Sequence, residues 1–232
     1  APQSSDELIY ERPDKPDWGF GLDVSHDGRY LILSVWRGTD DRNMVLYKDL
    51  NKSDSPVLEL IADFENEFTF LDGDNSTFFF KTKLNAPMGR VVAIDLRTPD
   101  ARKEIVPEIS HSMRSIDLVG DQFIAHYLKD ARSHVVVYDI NGRELREVML
   151  PGIGSVSGFR GKRTDTETFY SFSSFATPPS IYRYDVRTGE STHLRSAKVD
   201  FDASQYTTKQ VFYESLDGTK IPMFITHKKE IQ

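Results

Sequence analysis

The sequence predicts an all-β fold built as a run of four β-propeller blades. Two observations carry that expectation: one phrase recurs along the whole chain, and helical periodicity over a dozen residues appears nowhere. The phrase reads Val45-Leu46-Tyr47-Lys48-Asp49-Leu50, Val91-Val92-Ala93-Ile94-Asp95-Leu96, Val135-Val136-Val137-Tyr138-Asp139-Ile140 and Ile181-Tyr182-Arg183-Tyr184-Asp185-Val186. Its aspartates step by 46, 44 and 46 positions, close to the ~40–45 residue period of a four-stranded blade.

Each repeat divides into four short strands. In the first, 21–25 and 30–35 flank the turn His26-Asp27-Gly28, followed by 43–48 and 57–61. In the second, 68–71 and 77–81 flank Asp72-Gly73-Asp74-Asn75, which reads as a hairpin turn, and 90–94 and 103–106 follow. The third repeat has strands at 115–119, 123–128, 134–138 and 144–150, and the fourth at 156–160, 168–173, 180–184 and 190–194. Asp27-Gly28, Gly120-Asp121, Asn141-Gly142 and Thr188-Gly189 supply turn chemistry between them.

The third strand of a repeat is apolar on both faces, as in Val91 to Ile94 and Val135 to Tyr138. A sheet with one wet face would alternate instead, so these strands belong between two neighbouring blades. The repeated aspartate is expected to end its strand and bond nearby backbone N–H groups. The blades are placed at about 18–63, 64–108, 109–151 and 152–196, within a propeller region 1–196, with a linker at 197–208. The segments 210–215 and 220–227 flank Leu216-Asp217-Gly218-Thr219 and read as a hairpin opening a different domain at 209–232.

Composition narrows the function classes. Charged residues make up 28% and the aliphatic and aromatic set 38%, so the chain reads as soluble and globular. A net charge of -7 argues against a nucleic-acid partner. No apolar run approaches the ~18 residues of a membrane span, and the polar start, Ala1 to Glu7, does not resemble a signal peptide. With no cysteine there is neither a disulfide framework nor thiol chemistry.

Three stretches together resemble one family. Gln210-Val211-Phe212-Tyr213-Glu214-Ser215-Leu216-Asp217-Gly218-Thr219-Lys220-Ile221-Pro222-Met223-Phe224-Ile225-Thr226-His227-Lys228-Lys229 is similar to the segment by which prolyl oligopeptidases leave their propeller and enter an α/β-hydrolase domain. Ser25-His26-Asp27-Gly28-Arg29-Tyr30-Leu31-Ile32-Leu33-Ser34 resembles a blade-opening hairpin of that family, and the stretch Asp165 to Pro178 its last blade. The resemblance runs over essentially the whole chain, in order. It implies the last four blades of a ring of about seven, followed by the first hairpin of the hydrolase domain. It implies a parent serine endopeptidase that cleaves short peptides after proline, with this stretch as the cap that gates and positions substrate. The expected partners are short proline-containing peptides, the remaining blades and the hydrolase domain. No cofactor is expected, and the expected compartment is the cytoplasm, with the bacterial periplasm as the alternative.

Catalytic residues are not expected in this stretch. A hydrolase of this kind needs a G-x-S-x-G elbow on a strand-to-helix turn. The nearest approach, Gly154-Ser155-Val156-Ser157-Gly158, puts Val156 where the nucleophile belongs and reads as a small-residue strand. His26, His111, His126, His134, His193 and His227 fall in different repeats without metal-ligand spacing. Gly19-Phe20-Gly21 and Gly152-Ile153-Gly154 lack the third glycine and helix of a dinucleotide site. Ser173-Ser174-Phe175 reads as local packing.

One loop keeps functional interest. By the resemblance, Trp36-Arg37-Gly38-Thr39-Asp40-Asp41-Arg42 faces the interdomain cavity near the outer substrate subsites. Trp36, Arg37 and Thr39 are then substrate-contact candidates, and Phe20 a lesser one. Some relatives place Arg and Cys where Trp36 and Thr39 stand, and a solvated charged turn is the competing reading. The competing function is a non-catalytic interaction module, because a propeller does not fix function. Four blades alone would also leave an apolar face on each end blade, which predicts self-association of the isolated chain.

Overall fold

A run of β-branched and aromatic residues with two-residue periodicity and frequent Asp-Gly or Asn-Gly turns has little choice but to form antiparallel hairpins. The computed structural model describes residues 2–231 and contains strands, turns and two short 3-10 turns, at Gln3–Ser5 and Ala203–Gln205. The chain divides into two compact units, 1–109 and 110–232.

The first unit holds two four-stranded meanders. One runs β1 (Trp18–Val24), β2 (Tyr30–Arg37), β3 (Asn43–Asp49) and β4 (Leu58–Ile61), and the other β5 (Phe68–Asp74), β6 (Thr77–Thr82), β7 (Arg90–Asp95) and β8 (Arg102–Val106). The second unit repeats the pattern with β9 (Ser112–Val119), β10 (Gln122–Lys129), β11 (Arg132–Asp139) and β12 (Glu144–Glu147), then β13 (Ser155–Arg160), β14 (Glu167–Ser173), β15 (Ser180–Asp185) and β16 (Ser191–Ser196). It ends in the hairpin β17 (Tyr206–Glu214) and β18 (Lys220–Lys228). All neighbouring strands are antiparallel.

The expected strands are present, with boundaries shifted by a few residues, most visibly at β5 and β17. Asp72, Gly73 and Asp74 belong to β5, and the turn closes at Asn75 and Ser76 instead. A bulge between Phe70 and Asp72 lets Asp72 turn its carboxylate onto its neighbours. Its Oδ1 accepts from His26 N at 2.8 Å, while Asp27 Oδ2 accepts from Asn75 N at 3.2 Å, so the first turns of the two blades interlock. The connection after β16 is shorter than expected, because β17 already begins at Tyr206.

The third strands of the first three blades, β3, β7 and β11, are buried on both sides, whereas β15 leaves Ile181 and Arg183 exposed on one face. Val91, Val92 and Ile94 are fully buried, and so are Val135 and Val137. Blade pairs meet through these strands. In the first unit, Tyr30, Ile32 and Val45 pack on Phe68, Phe78, Phe80 and Val92. In the second, Val135 and Val137 pack with Val156, Tyr170, Phe172 and Tyr184.

All four repeated aspartates cap the turn that follows. Asp49 Oδ1 accepts from Asn51 N at 3.1 Å and Asp95 Oδ1 from Arg97 N at 2.9 Å. Asp139 Oδ1 accepts from Asn141 N and Arg143 N, and Asp185 Oδ1 from Arg187 N and Thr188 N. Each carboxylate also meets an arginine: Arg29, Arg97, Arg143 and Arg187 respectively. These bonds stabilise the ionised form, and all four carboxyls are held below their ordinary range.

Polar side chains also stitch one blade to the next at matching places. Asn43, the first residue of β3, is buried; its Nδ2 donates to Phe68 O at 3.0 Å and its Oδ1 accepts from Phe68 N at 2.7 Å. Ser133, in β11, receives Val156 N on its Oγ at 2.9 Å and gives its own N–H to Gly154 O at 3.0 Å. His126 Nε2 lies 2.8 Å from the same Ser133 oxygen, and burial holds its imidazole below the usual range. Asn43 and Ser133 each stand six positions before their blade's capping aspartate, at 49 and 139.

The end faces differ from the sequence expectation. On the first blade, Leu33, Val35, Met44 and Leu46 are covered by Tyr10, Trp18, Val57 and Phe64, and only Phe20, Leu22 and Val24 of β1 remain open on that face. On the fourth, Phe169 and Ile181 are exposed, but their register partners on β15 and β14 are Arg183 and Ser171. Neither end is a continuous apolar face. Tyr10, Trp18, Val57 and Phe64 cover part of the first, leaving the row Phe20, Leu22 and Val24 exposed, and Ser and Arg side chains interrupt the second.

One buried acid gives a pH signature. Asp117 on β9 is pushed up to about 6 by burial, with Arg160 pulling the other way. A carboxyl raised in the folded state favours folding most below its unfolded value, and that contribution is lost as pH rises through about 6. Asp117→Asn is therefore expected to stabilise the fold at pH 7.5 by about 1–2 kcal/mol after allowance for partial exposure, and to change little at about pH 3, below the unfolded value. Urea midpoints at the two pH values test this. Equal shifts at both would show that the ionised carboxylate is not the source.

Candidate functional site

Trp36 is the next-to-last residue of β2. It stands between Gly19 on β1 and Asn43 on β3 in the ladder. Its indole lies down on β1, because a Cβ at Gly19 would fall 2.4 Å from Trp36 Cε2, and one at Gly21 3.3 Å from Cζ3. The Gly-x-Gly of β1 is thus a seat for an aromatic ring. With 37% of its surface exposed, Trp36 shows its outer side to solvent. The paired glycines on alternate positions opposite a tryptophan were the available sequence signal for this.

Arg37 takes the other face of β2, as adjacent strand residues must. Its guanidinium carbon sits 4.1 Å from the ring centre of Phe64. Phe64 meets Trp18 edge to face at 5.3 Å, and Arg12 covers Trp18 at 4.5 Å. The result is a cation–aromatic–aromatic–cation stack that commits Arg37 to packing as well as charge. Phe20 lies on this second face and makes an edge contact with Tyr10 at 5.8 Å. Trp36 and Arg37 therefore belong to the strand rather than the loop, and they do not converge.

Thr39 is exposed in the tight turn that follows. Gly38 has φ 53, Asp40 N bonds Arg37 O at 3.1 Å, and Arg42 grips the Asp40 carboxylate with Nε and Nη2. That pair holds Asp40 well below the usual carboxylate range. The turn is hydrogen-bonded, charged and open, with Thr39 exposed in it.

The second unit has its own polar recess, around Arg132. Ser173, Ser174 and Phe175 line it. Phe175 is 71% exposed rather than packed away. Of the Gly154 to Gly158 stretch, Ser155 onward lies in strand β13, with Val156 turned into the core. Among the described residues no three His, Asp or Glu side chains are grouped to hold a metal ion, and no helix is long and apolar enough to cross a membrane.

The repeated four-stranded meanders, with apolar third strands shared between blades, define a β-propeller class of domain. Residues 1–197 match the family model for the prolyl oligopeptidase N-terminal β-propeller domain, and the chain belongs to that family. It is 39% identical over 233 residues to the prolyl endopeptidase of Elizabethkingia meningoseptica, covering 99% of this chain and 32% of that protein. It is 33% identical to the prolyl endopeptidase of Dictyostelium discoideum, covering 99% of this chain and 33% of that one. A solved prolyl endopeptidase structure from a study of inter-domain dynamics superposes with a TM-score of 0.90 at 35% identity, over 100% of this chain and 34% of that one. Apo prolyl oligopeptidase B from Galerina marginata gives 0.91 at 29% identity, over 99% and 34%. The chain spans about a third of the length of the relatives it matches.

Proposed function

We propose that this chain is the propeller cap of a serine endopeptidase that hydrolyses short peptides on the carboxyl side of proline. The observation that carries the reading is the family match over residues 1–197, together with relatives named prolyl endopeptidase that align along nearly the whole chain. In this reading the four blades complete a larger ring, and β17–β18 is the first hairpin of the α/β-hydrolase domain. The nucleophile, base and oxyanion donors come from that domain. The cap confines substrate and keeps bulk water and folded proteins from the reacting bond.

Trp36 is the proposed contact for an apolar side chain of the substrate, because it is a flat, half-open ring held on a glycine seat. Arg37 and Thr39 are proposed contacts from the strand end and the turn tip. The compartment proposed is the cytoplasm, with the bacterial periplasm as the alternative, and cell fractionation separates the two.

The test is hydrolysis by the full-length protein of a short peptide carrying a reporter after proline. Turnover that a serine-directed fluorophosphonate abolishes is expected, with none from residues 1–232 alone. Failure of the full-length protein to cleave would favour the non-catalytic interaction module. In the active protein, Trp36→Ala is expected to raise KM about tenfold with little change in kcat, the signature of lost uniform binding. Gly19→Val, which unseats the ring, should do the same. An unchanged KM in both variants would remove Trp36 from the substrate path.

A further inference from the structure

We propose that the recess between the third and fourth blades and the terminal hairpin is a carboxylate-binding site, built around Arg132, that receives the C-terminal residue of a short peptide. The identity of the occupant rests on the peptide-handling function proposed above. The chemistry rests on the recess alone.

Arg132 opens β11 and pairs with Lys129 across a two-residue turn, Asp130 and Ala131, whose φ values are 49 and 62. This turn fixes the start of the arginine side chain. Its Nε is buried and has no hydrogen-bond partner among the described residues. A guanidinium nitrogen left so is costly unless something accepts from it. Glu147, the acid on the neighbouring strand β12, is already engaged by His134 Nδ1 at 2.9 Å.

Arg132 lines two cavities: one of about 370 Å³ is lined by Lys129, His134 and Glu147, and the other, bounded by β13, β14 and the terminal hairpin, has a volume of about 230 Å³. Ser155 and Ser173, cross-strand partners on β13 and β14, supply hydroxyls, and so does Ser174. Ser174 Oγ accepts from Ala176 N at 3.3 Å, which leaves its own O–H free to donate. Phe175 and Phe224 form the apolar side, with ring centres 5.7 Å apart. Close packing builds the remaining wall: a Cβ at Gly154 would lie 2.3 Å from Ser173 O and 2.7 Å from the Phe172 ring.

These features select a ligand class. No second cation and no acid lines the cavity toward the hairpin, which suits a monoanion better than a phosphate dianion. The planar fork of an arginine matches a carboxylate. The paired rings suit an apolar side chain beside that carboxylate. The volume is below the roughly 300 Å³ at which drug-sized sites begin, so it holds a terminal residue rather than a whole peptide.

The test is equilibrium binding of an N-acetylated, proline-free tripeptide ending in phenylalanine to the full-length protein, against the same peptide as its C-terminal amide. The free acid is expected to bind about tenfold or more tightly than the amide. Arg132→Gln should erase that preference, and Arg132→Lys should keep part of it through charge alone. Matched thermal midpoints establish that the variants are folded. Equal binding of acid and amide overturns the assignment, as does a preference that survives Arg132→Gln. Equal binding accompanied by a large loss of full-length stability in Arg132→Gln overturns it in favour of an acidic side chain of the protein as the occupant. Because the peptide lacks proline and nothing is cleaved, the outcome is independent of whether the full-length protein hydrolyses after proline.

Discussion

Phe78→Ala is expected to destabilise the protein by about 3–5 kcal/mol, the cost of emptying a large aromatic from a core that does not collapse. Phe78 has no solvent exposure. Its ring meets Tyr30 at 5.1 Å, Phe70 at 5.6 Å and Tyr47 at 5.9 Å, each edge to face. Tyr30 and Tyr47 belong to the first blade, and Phe70 to the second, so the ring is where two blades share one core. Truncation removes the transfer free energy and the edge contacts together. The strands around it are held by ladders and cannot move in to fill the void. The thermal midpoint should fall by roughly 6–20 °C for a chain of this size. Phe78→Leu should recover a good part of the loss. A midpoint within two or three degrees (~1 kcal/mol) of the parent for Phe78→Ala would show that the blades do not depend on this contact.

Asn43→Ala is expected to cost about 2–4 kcal/mol, although it removes only a small polar side chain. The Asn43 amide satisfies both backbone groups of Phe68, the first residue of the next blade's first strand. Phe68 is itself buried, so alanine leaves a donor and an acceptor without partners away from water, and each orphan costs about 1–3 kcal/mol. Asn43→Asp is the informative companion. It keeps the acceptor for Phe68 N, loses the donor to Phe68 O and places a charge in a buried position, so it should be no better than alanine at pH 7. Urea midpoints for both variants decide the matter. Aspartate close to wild type would mean that the donor half of the clamp is unimportant.

Much of this architecture was legible in the residues. The spacing of the aspartates at 49, 95, 139 and 185 marks each blade, and the local pattern of Asp bonding two residues ahead explains why that residue recurs. Two-sided burial could be read from Val91 to Ile94 because a polar residue on either face would have broken the run. The turn at Asp72 to Asn75 was harder. A bulge inserts one residue and shifts the hairpin closure, and bulges leave no distinctive composition behind.

The site divides in the same way. Trp36, Arg37 and Thr39 are neighbours in sequence, and the alternation of a strand is what sends the first two to opposite faces. The seat under Trp36 depends on register, since only pairing of Gly19 with Trp36 puts a missing Cβ beneath the indole. The recess at Arg132 depends on contacts between residues far apart in the chain, among them Gln210 Nε2 bonding Asp130 O at 2.6 Å and Phe224 facing Phe175.

The sequence by itself determined the repeat, the strand count of each blade, the capping aspartates and the family to which the chain belongs. These are local or periodic properties, set by side-chain alternation and turn chemistry within a few residues. Only the tertiary structure decided which arginine is committed to an aromatic stack and which is left unpaired, and which glycines make room for a ring. Those outcomes follow from packing between strands that the chain brings together from 25 to 92 positions apart, as in Asn43 with Phe68 and Phe224 with Arg132, and no local pattern encodes which partner will be there.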